Sequence, residues 1–390
     1  MKILQIHNEY INPGGEEVVV SSEKSMLQSH GHKVYQWILK NSSLKNLQIG
    51  QKIDTARQSI WSQSSYDIVK KMICDLSPEI VHVHNTIPQI SPSVFTACHD
   101  SKTPVVQTLH NYKLICPGSN LYRNEKICES CLDKKIPYPA LVHGCYRNKK
   151  DYLSTSIYIA GLTYNRYRGT YDQEVDQYIA LTNFAKKKFL EGGLSEHQVS
   201  IKPNFIHSDP GIGKHDGQYV LYAGRLIPQK GVHTLLKAWS LLDESIPLKV
   251  VGHGPLDYLI SQNSSKNIEY LGAVSRDDLM DLMRNATFLV FPTEWYEVFG
   301  LVLIEAFATG MPVIASRIGG VPEIVEEGES GWLFESGNSH DLAKIVELAW
   351  SDSVEIKRRG YLARLRYEQE YTQERNYEVL MNIYRKIISI

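Results

Sequence analysis

The feature that most constrains this chain is a regular alternation of short apolar runs with longer amphipathic ones. Residues 2–7, 79–84, 104–108, 178–182, 219–223, 248–252, 288–292 and 312–316 are short, rich in β-branched and aliphatic side chains, and predict strands. Residues 16–29, 232–242, 276–285 and 301–309 lie between such runs and place their apolar side chains at helical spacing. Strand following helix following strand predicts an α/β chain with doubly wound parallel sheets covered by helices on both faces. A length of 390 residues exceeds one ordinary core and suits two such domains of ~150–200 residues. The alternation breaks at 112–171, which lacks a strand signal and is rich in Cys, Tyr, Lys and Arg. It breaks again at 204–213, which is turn-rich and aperiodic. The second break reads as the linker, giving an N-terminal Rossmann-like domain 1–206 with a cysteine-rich insertion at 112–171, and a second domain from 207. Two such sheets are expected to face each other across a cleft, with ligands beyond the carboxyl ends of the strands.

Composition excludes several classes of function. Lys and Arg number 42 against 43 Asp and Glu, a net charge of −1 that argues against a nucleic-acid binder. No run approaches the ~20 apolar residues of a membrane span. The start, Met1-Lys2-Ile3-Leu4-Gln5-Ile6-His7, turns polar too soon for a signal peptide. The expectation is a cytoplasmic protein with reduced thiols.

Chemistry concentrates after two strands of the second half. The run 219–223 is followed by Gly224-Arg225-Leu226-Ile227-Pro228-Gln229-Lys230-Gly231 and then a helix. Glycines let the loop bend, and two cations beside a helix N-terminus suit a diphosphate, although a basic surface loop has the same composition. The run 288–292 leads into Glu294-Trp295-Tyr296-Glu297-Val298-Phe299-Gly300-Leu301-Val302-Leu303-Ile304-Glu305. Glu297 and Glu305 flank a Gly turn in an otherwise apolar helix. They suit two ends of an elongated ligand, one bonding sugar hydroxyls and the other a ribose diol; a capping glutamate plus a partly buried one is the plainer alternative. The backbone N–H groups of Phe299, Gly300 and Leu301 open that helix and can hold hydroxyls or phosphate oxygens.

These two motifs, in this order and about 65 residues apart, resemble the retaining nucleotide-sugar glycosyltransferases of family 4, with the GT-B architecture. The resemblance continues in Val251-Gly252-His253-Gly254-Pro255, in Gly319-Gly320-Val321-Pro322-Glu323 and in Gly331-Trp332-Leu333-Phe334. In the first half it includes Asn12-Pro13-Gly14-Gly15 and His110 within Thr108-Leu109-His110-Asn111-Tyr112. It implies that Arg225 and Lys230 bind the donor diphosphate and stabilise it as it leaves. It further implies that Glu305 holds the nucleotide ribose, that Glu297 and His110 contact the donor sugar, and that Gly14 and Gly15 let the backbone approach the diphosphate. It makes 207–370 the nucleotide-sugar-binding domain and 371–390 a helix crossing back to the N-terminal domain. The implied activity is hexosyl transfer with retention to a glycan or lipid-linked acceptor in bacterial-type surface polysaccharide synthesis. No Asp-x-Asp motif is present, and Arg225 with Lys230 can replace a divalent ion, so no catalytic cofactor is expected. Val298 stands where many relatives carry a small residue, which leaves the donor sugar open. A sugar-nucleotide epimerase or phosphorylase on the same fold, and a non-enzymatic reader of nucleotide sugars, are the competing readings.

Two further segments carry signals. Cys116, Cys128, Cys131 and Cys145 follow the spacing C-x11-C-x2-C-x13-C, which suits a tetrahedral structural zinc site or, alternatively, a set of free thiols or a redox-active Cys128/Cys131 pair. Cys74 and Cys98 read as ordinary helix thiols. The stretch Arg147-Asn148-Lys149-Lys150 through Arg166-Tyr167-Arg168 mixes cations with Leu153, Ile157, Tyr158, Leu162, Tyr164 and Tyr167. It suits a helix packed inside the domain, or one resting on an anionic membrane surface as a peripheral contact.

Overall fold

The apolar runs assemble into two separate six-stranded sheets, each wholly parallel in its pairing. The computed structural model describes every residue except 12–13, 42–48, 147–150, 263–266 and 389–390, and leaves out the side chains of 49–53. Asn12 and Pro13, and Arg147, Asn148, Lys149 and Lys150, therefore lie outside the described residues. The chain divides into two units. One comprises Met1–Arg123, Cys128–Pro203 and Asn376–Ile390; the other comprises Asn124–Ile127 and Asn204–Arg375.

In the first unit β1 (Lys2–Glu9), β2 (Lys33–Lys40), β3 (Ile80–Asn85) and β4 (Val105–Thr108) precede the cysteine segment. That segment holds two strands of two residues each, β5 (Tyr122–Arg123) and β6 (Lys126–Ile127), which corrects the expectation of none. The sheet is completed by β7 (Gln177–Ala180) and β8 (Val199–Ile201), in the order β2-β1-β3-β4-β7-β8. Every residue of β3, β4 and β7 is buried, as expected of central parallel strands covered on both faces. β2 lies at the sheet edge and stays half-exposed, so its sequence Lys-Val-Tyr-Gln-Trp-Ile-Leu-Lys lacks the apolar continuity that marks the others.

The second unit contains β9 (Val220–Ala223), β10 (Leu248–Val251), β11 (Ile268–Gly272), β12 (Phe288–Phe291), β13 (Val313–Ser316) and β14 (Gly331–Phe334). Their order, β11-β10-β9-β12-β13-β14, is the dinucleotide-fold order, reversing direction between β9 and β12. Trp239, Phe288 and Phe334 anchor a core that also takes in Leu235, Val250 and Trp332. Since Val220 and Leu221 pair with Phe288 and Leu289, the loops that follow β9 and β12 emerge side by side at the switch point.

Candidate active site

The two loops at this switch point are locked together by backbone. Glu294 N–H donates to the Gln229 carbonyl at 2.9 Å, and the Thr293 hydroxyl donates to the same oxygen at 3.2 Å. Gly231 has φ +69°, and a Cβ there would fall 1.7 Å from the Pro292 carbonyl oxygen. No other residue type fits so close an approach in that conformation. Gly319, at φ +60°, lies against the backbone of Tyr296 and Glu297, and the Gly320 N–H donates to the Glu297 carbonyl at 3.4 Å. The Gly319-Gly320 motif thus supports the loop that carries Glu297.

On this frame Lys230 forms an ion pair with Glu297, both mostly buried. The indole N–H of Trp295 donates to the same carboxylate oxygen at 2.9 Å. The Lys230 ammonium also lies 5.1 Å from the Phe291 ring centre and 5.6 Å from that of Trp295, positions favourable to a cation. Arg225 is exposed in the same loop. The buried Tyr222 hydroxyl donates to the Arg225 carbonyl at 3.2 Å and lies within electrostatic reach of both the Arg225 and Glu297 charges. Lys230 and Glu297 therefore meet, with Arg225 on the same loop as Lys230.

Glu305 lies in the Leu301–Ala308 helix, which starts at Gly300 with no side-chain cap. Its carboxylate is 3.0 Å from the guanidinium of Arg276. Burial raises its pKa above the ordinary carboxylate value, and Arg276 opposes that rise. The Val232–Trp239 helix, starting at Gly231, also has no side-chain cap. Two helix N-termini with N–H groups free of capping side chains thus adjoin the cations and carboxylates, an arrangement suited to an anion with hydroxyl-bearing ends.

In the first unit, Gly14 precedes the Gly15–Ser29 helix that follows β1. Glu17 reaches back from the first turn, accepting from the N–H groups of Tyr10 at 2.9 Å and Gly14 at 2.6 Å. Burial alone would raise the Glu17 pKa, but these bonds and His7 bring it down to about 2. The neighbouring Glu16 is pushed up to about 7 by burial, with Lys113 and His7 opposing. Lys113 donates to the Tyr10 hydroxyl at 2.7 Å and lies over its ring.

His110 follows β4 and joins a buried network that the sequence reading missed. Its Nε2 lies 3.0 Å from Nδ1 of His84, and His84 Nε2 lies 3.4 Å from the Glu23 carboxylate. His82 Nδ1 is 2.8 Å from the same carboxylate, Lys202 is 3.4 Å from it, and Gln5 donates to it at 3.1 Å. Asn376, on the Gln373–Ile388 helix, accepts from Lys202 at 3.1 Å. One proton is shared between His84 Nδ1 and His110 Nε2, so the tautomers of the two rings are coupled. The alternation His82-Val83-His84 in a fully buried strand was the available signal, since i and i+2 face the same side. Glu23, His82 and His84 bring three ligand atoms within 4.8 Å of one another. Lys202 already neutralises this carboxylate, and His82 is bonded to Tyr384 and Thr108, so the group reads as an ion network rather than a cation site.

The helix Tyr152–Arg168 buries Thr155, Tyr158, Ile159, Leu162 and Asn165, which is the packing role. Its other face leaves Leu153 at 74% and Tyr167 at 69% exposure, with Ala160 and Tyr164 exposed between them on the same stripe. Among the described residues no helix is long and apolar enough to cross a membrane.

Residues 207–366 match the family model described as glycosyl transferases group 1. An uncharacterized glycosyltransferase of Methanocaldococcus jannaschii is 33% identical over 218 residues, covering 55% of this chain and 58% of that protein. The chain spans about half the length of the curated relatives it matches first. Among solved structures, HepE of Anabaena in complex with UDP-glucose matches 98% of this chain and 99% of its own, with TM-score 0.66 and 18% identity. Sucrose-phosphate synthase of Thermosynechococcus elongatus matches 100% and 99%, with TM-score 0.71 and 17% identity. Both structural likenesses are likenesses of fold. With the dinucleotide-fold order, the paired loops at its switch point and the match over 207–366 in agreement, residues 207–366 belong to the glycosyl transferases group 1 family, and the chain as a whole has the GT-B fold.

Proposed function

We propose that this chain transfers a hexose from a nucleoside diphosphate donor to a glycan or lipid-linked acceptor, with retention of anomeric configuration. The observation that carries the reading is the Lys230–Glu297 pair, with Arg225 on the same loop, beside two uncapped helix N-termini at the switch point. As the glycosidic bond breaks, negative charge collects on the departing diphosphate. Cations and N–H groups already in place stabilise that charge without reorganising, and removing one such contact typically costs a few kcal/mol of barrier. Lys230 is the inner cation and Arg225 the outer one. Glu297 bonds sugar hydroxyls once the donor draws Lys230 toward its phosphates, and Glu305 accepts from the ribose diol. In the first unit, the family resemblance assigns His110 and the Gly14–Gly15 turn to donor binding.

HepE was solved with UDP-glucose, so uridine diphosphate hexoses are the first donors to try. No carboxylate is assigned as a covalent nucleophile, so a same-face displacement assisted by the leaving phosphate is the mechanism proposed, without a catalytic metal. The exposed Leu153-Ala160-Tyr164-Tyr167 stripe supports peripheral contact with an anionic membrane that carries a lipid-linked acceptor of surface polysaccharide synthesis.

A thermal-shift panel of nucleotide sugars, followed by hydrolysis and transfer assays with the best donor, tests the reading. Arg225→Ala and Lys230→Ala are each expected to lower kcat/KM by at least about a hundredfold. Unchanged rates in both variants would remove them from the mechanism. Vesicle flotation with and without anionic lipid tests the membrane contact, and Leu153→Ser with Tyr167→Ser is expected to abolish it.

A further inference from the structure

We propose that Cys116, Cys128, Cys131 and Cys145 form a tetrathiolate site for one Zn²⁺ that orders the segment between His110 and the Tyr152–Arg168 helix. None of the four is in a disulfide. Their side chains converge although 29 residues of sequence separate the first from the last. A Cβ on Gly118 would lie 3.6 Å from both the Cys116 sulfur and the Cys145 carbonyl oxygen, so those two cysteines flank one glycine. Cys131 packs with Ala140 and Ile159, and Cys145 packs against that group. Each sulfur lies within electrostatic reach of the other three.

The surroundings are those that metal-bound thiolates need. Backbone N–H groups of Gly118, Asn120 and Leu121 face the Cys116 sulfur, and the Ser130 N–H faces that of Cys128. The Ser130 hydroxyl lies 3.6 Å from the Cys128 sulfur. Bonds of this kind hold ligating sulfurs in orientation and disperse their charge. They are bought with backbone strain: Ser119 and Leu121 adopt left-handed conformations, φ +70° and +50°, and Leu121 does so without glycine's freedom. The Cys128 N–H then closes the turn on the Leu121 carbonyl at 2.8 Å. Arg123, whose buried Nε has no other hydrogen-bond partner, bears on Cys128 and Cys145 and offsets part of the net negative charge of a zinc tetrathiolate.

A divalent ion takes the four sulfurs as thiolates and releases their protons. Among the described residues no three of these sulfurs lie within 4.8 Å of one another, whereas a tetrahedron with Zn–S bonds of ~2.3 Å has edges of about 3.8 Å. Capture of the ion therefore draws the loops inward. Because Cys131 and Cys145 pack on Ile159, that closure is transmitted to the Tyr152–Arg168 helix.

The full chain, purified under reducing conditions without chelator, is analysed for metal and then stripped and reloaded with Co²⁺. The expected results are one zinc per chain, with four thiols unreactive until the metal is removed. Cobalt is expected to give the sulfur-to-metal charge-transfer band and intense visible bands of a tetrahedral thiolate site. Cys74→Ser with Cys98→Ser should retain the metal, while Cys128→Ser, at the most accessible of the four sulfurs, should lose it and gain protease cleavage between His110 and Tyr152. Absence of stoichiometric zinc together with absence of the cobalt spectrum in the wild-type chain overturns the proposal, as does recovery of the cysteines as disulfides. The wild-type measurements decide the matter even where a variant fails to fold, and they do not depend on the donor chemistry proposed above.

Discussion

The ammonium of Lys230 is ion-paired with the carboxylate of Glu297 and lies 5.1 Å from the centre of the Phe291 ring. In the absence of donor, the cation assigned to the diphosphate is thus neutralised by the carboxylate assigned to the sugar.

The first prediction is a strong coupling between these two residues. Lys230→Met leaves a mostly buried carboxylate without its cation, and Glu297→Gln leaves the cation without its carboxylate; the double variant leaves neither. Denaturation of the donor-free protein should give a coupling energy of about 1–3 kcal/mol in a double-mutant cycle. Additive effects would mean that the pair carries no stability of its own.

Gly231 supplies the second. Gly231→Ala forces a Cβ against the Pro292 carbonyl at a positive φ, and is expected to destabilise the protein by about 2–4 kcal/mol while weakening donor binding. Gly328 also has a positive φ, +83°, but open space around its Cα. Gly328→Ala should therefore cost only about 1–2 kcal/mol and leave donor affinity unchanged. Equal losses at both sites would show that the close approach at Pro292 is unimportant.

A third concerns acid stability. Burial lowers the pKa of His84 to about 3 and that of His110 well below the ordinary value, so both rings stay neutral in the folded state. The unfolded chain takes up protons on these rings as pH falls through about 6.5, so each removes about 1.4 kcal/mol of stability per pH unit below that point. Glu16, raised to about 7, works in the opposite sense: folded, it holds a proton that the unfolded carboxylate has released, so acidification toward about 4.5 favours the folded state. The net is a loss of stability on acidification from about pH 6.5 to about pH 5, which Glu16→Gln should steepen roughly twofold. Urea unfolding across that range checks both; a gain in stability on acidification would contradict the buried neutral rings.

Glu305 gives the fourth. Its pKa is raised by burial and restrained by Arg276, so donor binding should weaken on acidification at a pH above the ordinary carboxylate range. Arg276→Ala should move that limb to higher pH, and Glu305→Gln should abolish it. The readout is donor Kd against pH for the three proteins. A limb unmoved by Arg276→Ala would detach the ion pair from the ribose site.

The sequence by itself determined the layered α/β class, eight of the twelve strands in the two sheets, the glycine-flanked loop 224–231 and the run 294–305 around Gly300. These are local properties: apolar periodicity and the backbone freedom of Gly are written in consecutive residues. Strands β2, β8 and β11 escaped because they lie at sheet edges and are only partly buried, so pairing rather than hydrophobic continuity makes them strands; the buried four-residue β14 carries apolar side chains but is too short to show a period. Only the tertiary structure decided that Lys230 meets Glu297, because their contact follows from β9 and β12 being neighbours across 64 intervening residues. It alone joined His110 through His84 to Glu23 and Lys202, since a buried charge takes its partner from whichever element packing brings near.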